Sequence, residues 1–191
     1  MTDFNILWNR IGLITAIISE LQSRSVGRTA IMKLLYILQT VKGVPLNYDF
    51  RLYTYGPFDS EVLSDLDYAV SLDALSSDIT YNANGYNYNI QLSEAAGYYT
   101  EKASDFLEEH RDEIEWVVNK FSHKSARDLE LLSTTIFVDR AFSNRRESVD
   151  VEKLAQQVKE IKPRFKDEEI KAAISFLMEM ETIRSIQNRI D

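Results

Sequence analysis

The chain has 191 residues, 45% hydrophobic and 27% charged, which is enough for one good core or two small ones and too apolar for wholesale disorder. Thirty acidic side chains against 22 basic ones give a net charge of −8, which argues against a general binder of nucleic acid or anionic membranes. The lack of cysteine excludes disulfides, thiolate nucleophiles and cysteine-based metal sites, and two histidines, His110 and His123, leave little scope for a multi-histidine site.

The first residues, Met1-Thr2-Asp3-Phe4-Asn5, lack the basic stretch, apolar run and cleavage site of a secretory leader. The apolar stretch from Ile11 to Ile18 is far shorter than the about 20 residues of a membrane span, so a cytoplasmic protein without a membrane partner is expected. From Phe4 to Ser23, Leu7, Ile11, Ile14, Ile18 and Leu21 recur at steps of four and three, the buried face of an amphipathic helix. Gly27 lies in a short polar break. A second helix follows, with Thr29 as its candidate cap and Ile31, Leu34, Leu35, Leu38 and Val41 as its stripe, and Lys42-Gly43 and Pro45 end it.

The period then changes. Leu46, Tyr48, Phe50 and Leu52 alternate with Asn47, Asp49, Arg51 and Tyr53, which predicts a half-buried strand. Gly56-Pro57 breaks it, and Asp59 or Ser60 caps a helix with Val62, Leu63, Leu66, Ala69, Val70 and Leu72 on its apolar face. The strongest local signal is Asn84-Gly85 between Ile79–Ala83 and Tyr86–Leu92. Asn-Gly favours both positive-φ residues of a type I′ turn, so a hairpin with a two-residue loop is expected. Helices are expected over Glu101–Phe121, from Ser125 through Leu129, Leu132 and Ile136, over Asp150–Ile161, and from Asp167 through Ile170, Ile174, Leu177, Ile183 and Ile186. The run from Ser143 to Ser148 reads as a loop, and Pro163 stops the helix before it.

Helix, helix, strand, helix, hairpin is the order of a winged-helix unit with the hairpin as wing. The expected fold is therefore mainly α (α+β): a winged-helix-like unit over 1–92 and a helical bundle over 93–191, packed as one body. Winged-helix units that bind DNA need Lys and Arg to neutralise phosphates. From Leu52 to Glu101 there are none, while Asp59, Glu61, Asp65, Asp67, Asp73, Asp78, Glu94 and Glu101 are acidic. DNA contact through the wing fails on charge. The cations Arg24, Arg28 and Lys33 lie around the first inter-helix break and carry the alternative reading, a transcriptional regulator that meets DNA there. A second cluster, Arg140, Arg145 and Arg146, reads as a solvated loop or as a contact for phosphate or an acidic partner.

The wing instead carries Tyr81, Tyr86 and Tyr88 among Asn82, Asn84, Asn87 and Asn89. Tyrosines there suit ordinary cross-strand packing, and they equally suit a protein interface. No catalytic constellation is legible. His110 has no second histidine nearby, His123 suits a helix end, and Asp65 and Asp67 are two apart on a helix and do not face each other. No phosphate loop, nucleophile elbow or zinc motif occurs, so neither an enzyme nor a cofactor is expected.

The stretches Met32-Lys33-Leu34-Leu35-Tyr36-Ile37-Leu38-Gln39 and Tyr48-Asp49-Phe50-Arg51-Leu52-Tyr53-Thr54-Tyr55-Gly56-Pro57-Phe58 resemble the bacterial YwgA-like family. Leu129-Glu130-Leu131-Leu132-Ser133-Thr134 is similar to the matching segment of its helical second half, so the resemblance runs from Phe4 to Ile183. More distantly the chain is similar to the Panacea (SocA-like) antitoxins, which share a Lys-Leu-Leu-Tyr helix and a following Gly-Pro. That resemblance implies a non-enzymatic protein that binds a toxin or delivers it to a protease. Gly56-Pro57 is then either a plain strand-to-helix turn or a turn presenting Tyr55 and Phe58 to a partner. Together these readings predict a non-catalytic protein-binding regulator of antitoxin, adaptor or phage-defence type. Tyr55, Phe58, Asp65, Asp67, Tyr81, Tyr86 and Tyr88 form its candidate partner surface, toward a toxin or effector encoded nearby, with a homodimer also allowed.

Overall fold

A computed structural model of the chain describes residues 3–21, 26–82 and 85–186, with residues 3, 4, 82 and 85–87 described by their backbone alone. The protein is mainly helical, with a small antiparallel hairpin, as composition and periodicity imply. It divides into two units: residues 1–50 with 58–126, and residues 51–57 with 127–191. The boundary expected after Leu92 thus falls inside unit 1, which keeps the helices that follow the hairpin.

In unit 1, α1 (Asp3–Glu20) buries Ile11, Ile14, Ile17 and Ile18 and lies along α4 (Ala96–Lys102). Gly12 sets how closely they approach. A Cβ there would overlap the Ala103 Cβ and sit 2.7 Å from the Tyr99 carbonyl. α2 (Arg28–Ile37) is capped by Gly27 rather than Thr29 and continues into a π-helical turn, Leu38–Lys42, closed by Gly43 at φ +76°.

The strand expected over Leu46–Tyr53 is reduced to β1 (Arg51–Tyr53), paired with β2 (Gly56–Phe58) across Thr54-Tyr55. Its burial does alternate: Leu46 and Tyr48 are buried, Asn47 and Asp49 exposed. The backbone nevertheless pairs with side chains instead of a neighbouring strand. The Gln39 side-chain amide donates to the Tyr48 carbonyl and accepts from the Tyr48 N–H, both at 2.9 Å, as a strand neighbour would. Arg10 Nε donates to the Leu46 carbonyl at 2.6 Å, and Asp49 N donates to Asp59 at 2.6 Å. Asn47, at φ +56°, interrupts the extended run that a ladder would need.

α3 (Ser60–Ser71) is capped by Asp59, one of the two expected candidates, which accepts from Glu61 N at 2.9 Å. Its buried residues are Val62, Asp65, Leu66 and Ala69; Val70 is exposed instead of facing the core. β3 (Leu75–Asn82) and β4 (Gly85–Leu92) form the hairpin. Their register sets Asn82 opposite Gly85, so Gly85 is in the ladder rather than in the loop. Asn84, the other half of the expected turn, lies outside the described residues. A bridge from Val26 to Ile90 lays one more piece of chain beside β4.

The single helix expected over Glu101–Phe121 is three: α4, α5 (Ser104–Glu109) and α6 (Arg111–Phe121), broken at Ala103 and His110. Unit 2 contains α7 (Ala126–Asn144) from Arg127 on, α8 (Val151–Ile161) and α9 (Asp167–Glu179). α7 is buried almost all round, which explains its weak amphipathic pattern, and it carries Glu130, Ser133, Thr134, Thr135, Asp139 and Arg140 inside. Asp150 caps α8, accepting from Lys153 N at 2.8 Å. α9 starts at Asp167, and its N-cap is Lys166, whose N–H donates to Glu169 at 2.7 Å. Ile183 and Ile186 lie beyond its end.

Candidate protein-binding face

The hairpin is amphipathic across its whole width. Directly paired residues share a face, so Leu75 with Leu92, Ser77 with Ile90, and Ile79 with Tyr88 make one side, which Tyr81 continues. Ser76, Asp78, Thr80, Asn89 and Gln91 make the other, which is polar. At its root the apolar side is covered on one strand more than the other, with Leu75 and Ile90 each 1% exposed and Leu92, opposite Leu75, 39% exposed. Farther out, Ile79 is 46% and Tyr81 81% exposed; α3 also exposes Tyr68 and Val70, which lie two residues apart and so on different sides of that helix. Tyr86 pairs with Tyr81 through the backbone, and its side chain lies outside the described residues.

Asp67, Arg28 and Tyr88 come together. Arg28 ion-pairs with Asp67 at 2.5 Å and lays its guanidinium 3.8 Å from the Tyr88 ring centroid, with Gly27 beside the Tyr88 carbonyl. A cation stacked on a ring and paired with a carboxylate joins the start of α2 to α3 and to the hairpin. This corrects the grouping expected from sequence. Arg28 faces a carboxylate and an aromatic ring, Lys33 is only 2% exposed, and Arg24 lies outside the described residues. Neither Arg28 nor Lys33 presents its charge as a phosphate contact requires.

Asp65 is also displaced from the expected surface. It is 4% exposed and accepts from the Tyr48 hydroxyl at 2.7 Å, with Arg10 Nη1 at 3.5 Å. Arg10 ion-pairs with Glu61 at 2.5 Å and stacks 4.0 Å from the Tyr48 ring centroid. Burial pushes the Asp65 carboxyl above its ordinary range, partly offset by the Tyr48 hydrogen bond and Arg10. Burial, and then the Asp65 charge, push the Tyr48 phenol well above its usual value. Sequence reasoning missed this cluster. Its one signal is Arg10, a cation next to Ile11 on an otherwise apolar helix face.

Tyr55 belongs to unit 2, where it is 58% exposed with the Arg164 guanidinium 5.5 Å from its ring centroid. Phe58 belongs to unit 1 and is half-buried. The turn that carries Tyr55 is anchored. Lys162 Nζ donates to the Thr54 carbonyl at 2.5 Å and ion-pairs with buried Glu130 at 2.8 Å, which also pairs with Arg164. Gly56 has φ +87°, and a Cβ there would stand 2.7 Å from Thr134 Oγ1, so the position needs glycine. The second basic cluster does not form. Arg140 is buried, bonded to Asp139 and to the Thr182 carbonyl, while Arg145 pairs with Glu147 at 2.9 Å. His110, at the α5–α6 junction, packs its ring edge-on to Phe106 at 4.7 Å.

No family model matches the chain, and no curated protein matches it. Among the described residues, no helix is long and apolar enough to cross a membrane.

Proposed function

We propose that this chain is a non-catalytic protein-binding regulator of antitoxin, adaptor or phage-defence type, and that it engages its partner through the outer apolar side of the hairpin together with α3. One observation carries the reading: an amphipathic hairpin whose apolar side is buried at Leu75 and Ile90 and exposed farther out at Ile79 and Tyr81. Exposed aromatic and aliphatic groups on a rigid ladder bury area at low entropic cost when a partner docks. The order α1, α2, α3, β3, β4 and the Val26 bridge to β4 are consistent with a winged-helix unit whose wing is this hairpin. The resemblance to the YwgA-like family, and more distantly to Panacea antitoxins, points the same way. Arg28 engaged by Asp67 and Tyr88, and Lys33 buried, weigh against a regulator that meets DNA through those residues.

The test is an affinity pull-down of the tagged protein at native expression, with and without nuclease, comparing wild type with an Ile79→Ser/Tyr81→Ser double variant. Both side chains are exposed but sit opposite Tyr88 and Tyr86, so the variant should lose about 1 kcal/mol of stability and still fold, which circular dichroism checks. A stoichiometric partner that survives nuclease and is lost from the double variant supports the reading. Equal recovery by both proteins rules out this face. Nuclease-sensitive recovery of specific DNA overturns the protein-binding assignment itself.

A further inference from the structure

A second surface of unit 1 has a shape and charge that specify what fits it. α1 and the broken run α4–α5–α6 enclose an open groove of about 620 Å³. Its floor is apolar or small, formed by Ala16, Ala96, Gly97, Leu107, Ile114 and Val118. Its rim is acidic, with Glu20 from α1, Glu101 from α4, Glu108 from α5 and Glu115 from α6, all exposed. Among the described residues only Glu108 of these four is in an ion pair, with Arg111, which also lines the groove.

The breaks at Ala103 and His110 produce this arrangement. They divide what would be one straight helix into three, each contributing one rim carboxylate. We infer that the groove is a docking site for a basic amphipathic helix of another protein, its apolar stripe on the floor and its Lys or Arg side chains against the rim. Small residues on the floor let a helix backbone approach closely, and apolar anchors at i, i+3 or i+4 and i+7 are the usual way a helix occupies such a groove. The rim charge selects the occupant. A second copy of this chain brings a net charge of −8, and nucleic acid or an anionic lipid surface brings more negative charge, so each meets repulsion. The inference does not depend on the hairpin reading: the two surfaces share Leu92, which neither test alters.

The test uses the full chain and a fluorescent synthetic helix of about 18 residues, five turns, with leucines on one face and lysines elsewhere. A counterpart has glutamates in place of the lysines. Fluorescence anisotropy should show the lysine peptide binding at least about tenfold more tightly than the glutamate one. Glu101→Lys/Glu115→Lys should weaken it about tenfold, whereas Glu160→Lys/Glu179→Lys, the same charge change in unit 2, should alter it less than about twofold. Gly97→Tyr fills the groove; a Cβ there has no atom within 4 Å, so the variant should fold. It should lose binding at low and high salt alike.

Equal losses from the two charge pairs, undiminished binding by Gly97→Tyr, or no preference between the peptides would each overturn the site. The Ile79→Ser/Tyr81→Ser variant should bind the peptide normally. If it alone loses binding, the peptide docks on the hairpin, and the groove assignment falls while the hairpin face stands.

Discussion

Asp65 makes the physics plainest at the level of single residues. It is buried against Tyr48 and Arg10, and desolvation raises its pKa from the ordinary 3.8. A carboxyl whose folded pKa lies above its unfolded one holds its proton more tightly in the native state. Its favourable contribution is therefore complete below 3.8 and is lost as pH rises through the folded value. Asp65→Asn cannot titrate. In urea unfolding at pH values from 3.8 to neutrality, its stability relative to wild type should shift in its favour as pH rises, then level off. A difference that is flat with pH, or that moves the other way, would show that the carboxyl is not held as the geometry implies. The burial also explains why charge reversal at Asp65 cannot probe a binding face: it would place a cation beside Arg10 and destabilise the unit.

Among the elements, the Val44–Phe50 segment shows how an extended chain can satisfy its backbone without a sheet. Gln39 stands on a π-helical turn and supplies both a donor and an acceptor to Tyr48. Gln39→Ala should destabilise the protein by about 1–3 kcal/mol, since it leaves the Tyr48 N–H and carbonyl, on a buried residue, unpaired. Gln39→Glu should be destabilising too, because a carboxylate still accepts the Tyr48 N–H but sets an oxygen against its carbonyl. Denaturant midpoints of the two variants check this; a wild-type midpoint for Gln39→Glu would mean that the donor half of the clamp is dispensable. The same reasoning applies at Ala103 and His110. There three short helices replace one long one, and Gly12 sets the close approach of α1 to the first of them.

Charge governs what the whole molecule meets in solution. With a net charge of −8, Arg28 paired and Lys33 buried, neither of these two cations is placed to release counterions from a phosphate backbone. It should pass unretained through a duplex-DNA column at about 0.15 M salt, and Arg28→Ala should not change its elution. Salt-dependent retention abolished by Arg28→Ala would restore the DNA reading.

Local rules settled several features from sequence alone: the mainly helical class, the α1 stripe, a cap at Asp59 or Ser60, and a hairpin with alternating faces. Each depends on near neighbours in the chain, by period, capping chemistry or β-propensity, so no distant residue was needed to infer it. The failures share the opposite cause. Alternation at Leu46–Phe50 reports burial on one side, but whether a partner strand lies alongside is decided by Gln39 and Arg10, brought there by the fold. A single helical period ran through Ala103 and His110, since periodicity does not register a break that tertiary packing imposes. Above all, sequence treated Asp65, Asp67, Arg28 and Lys33 as surface charges because charged side chains usually are. Only the tertiary structure buried Asp65 and Lys33 and paired Arg28 with Asp67, because desolvation and ion pairing depend on groups far apart in the chain that meet only when it folds.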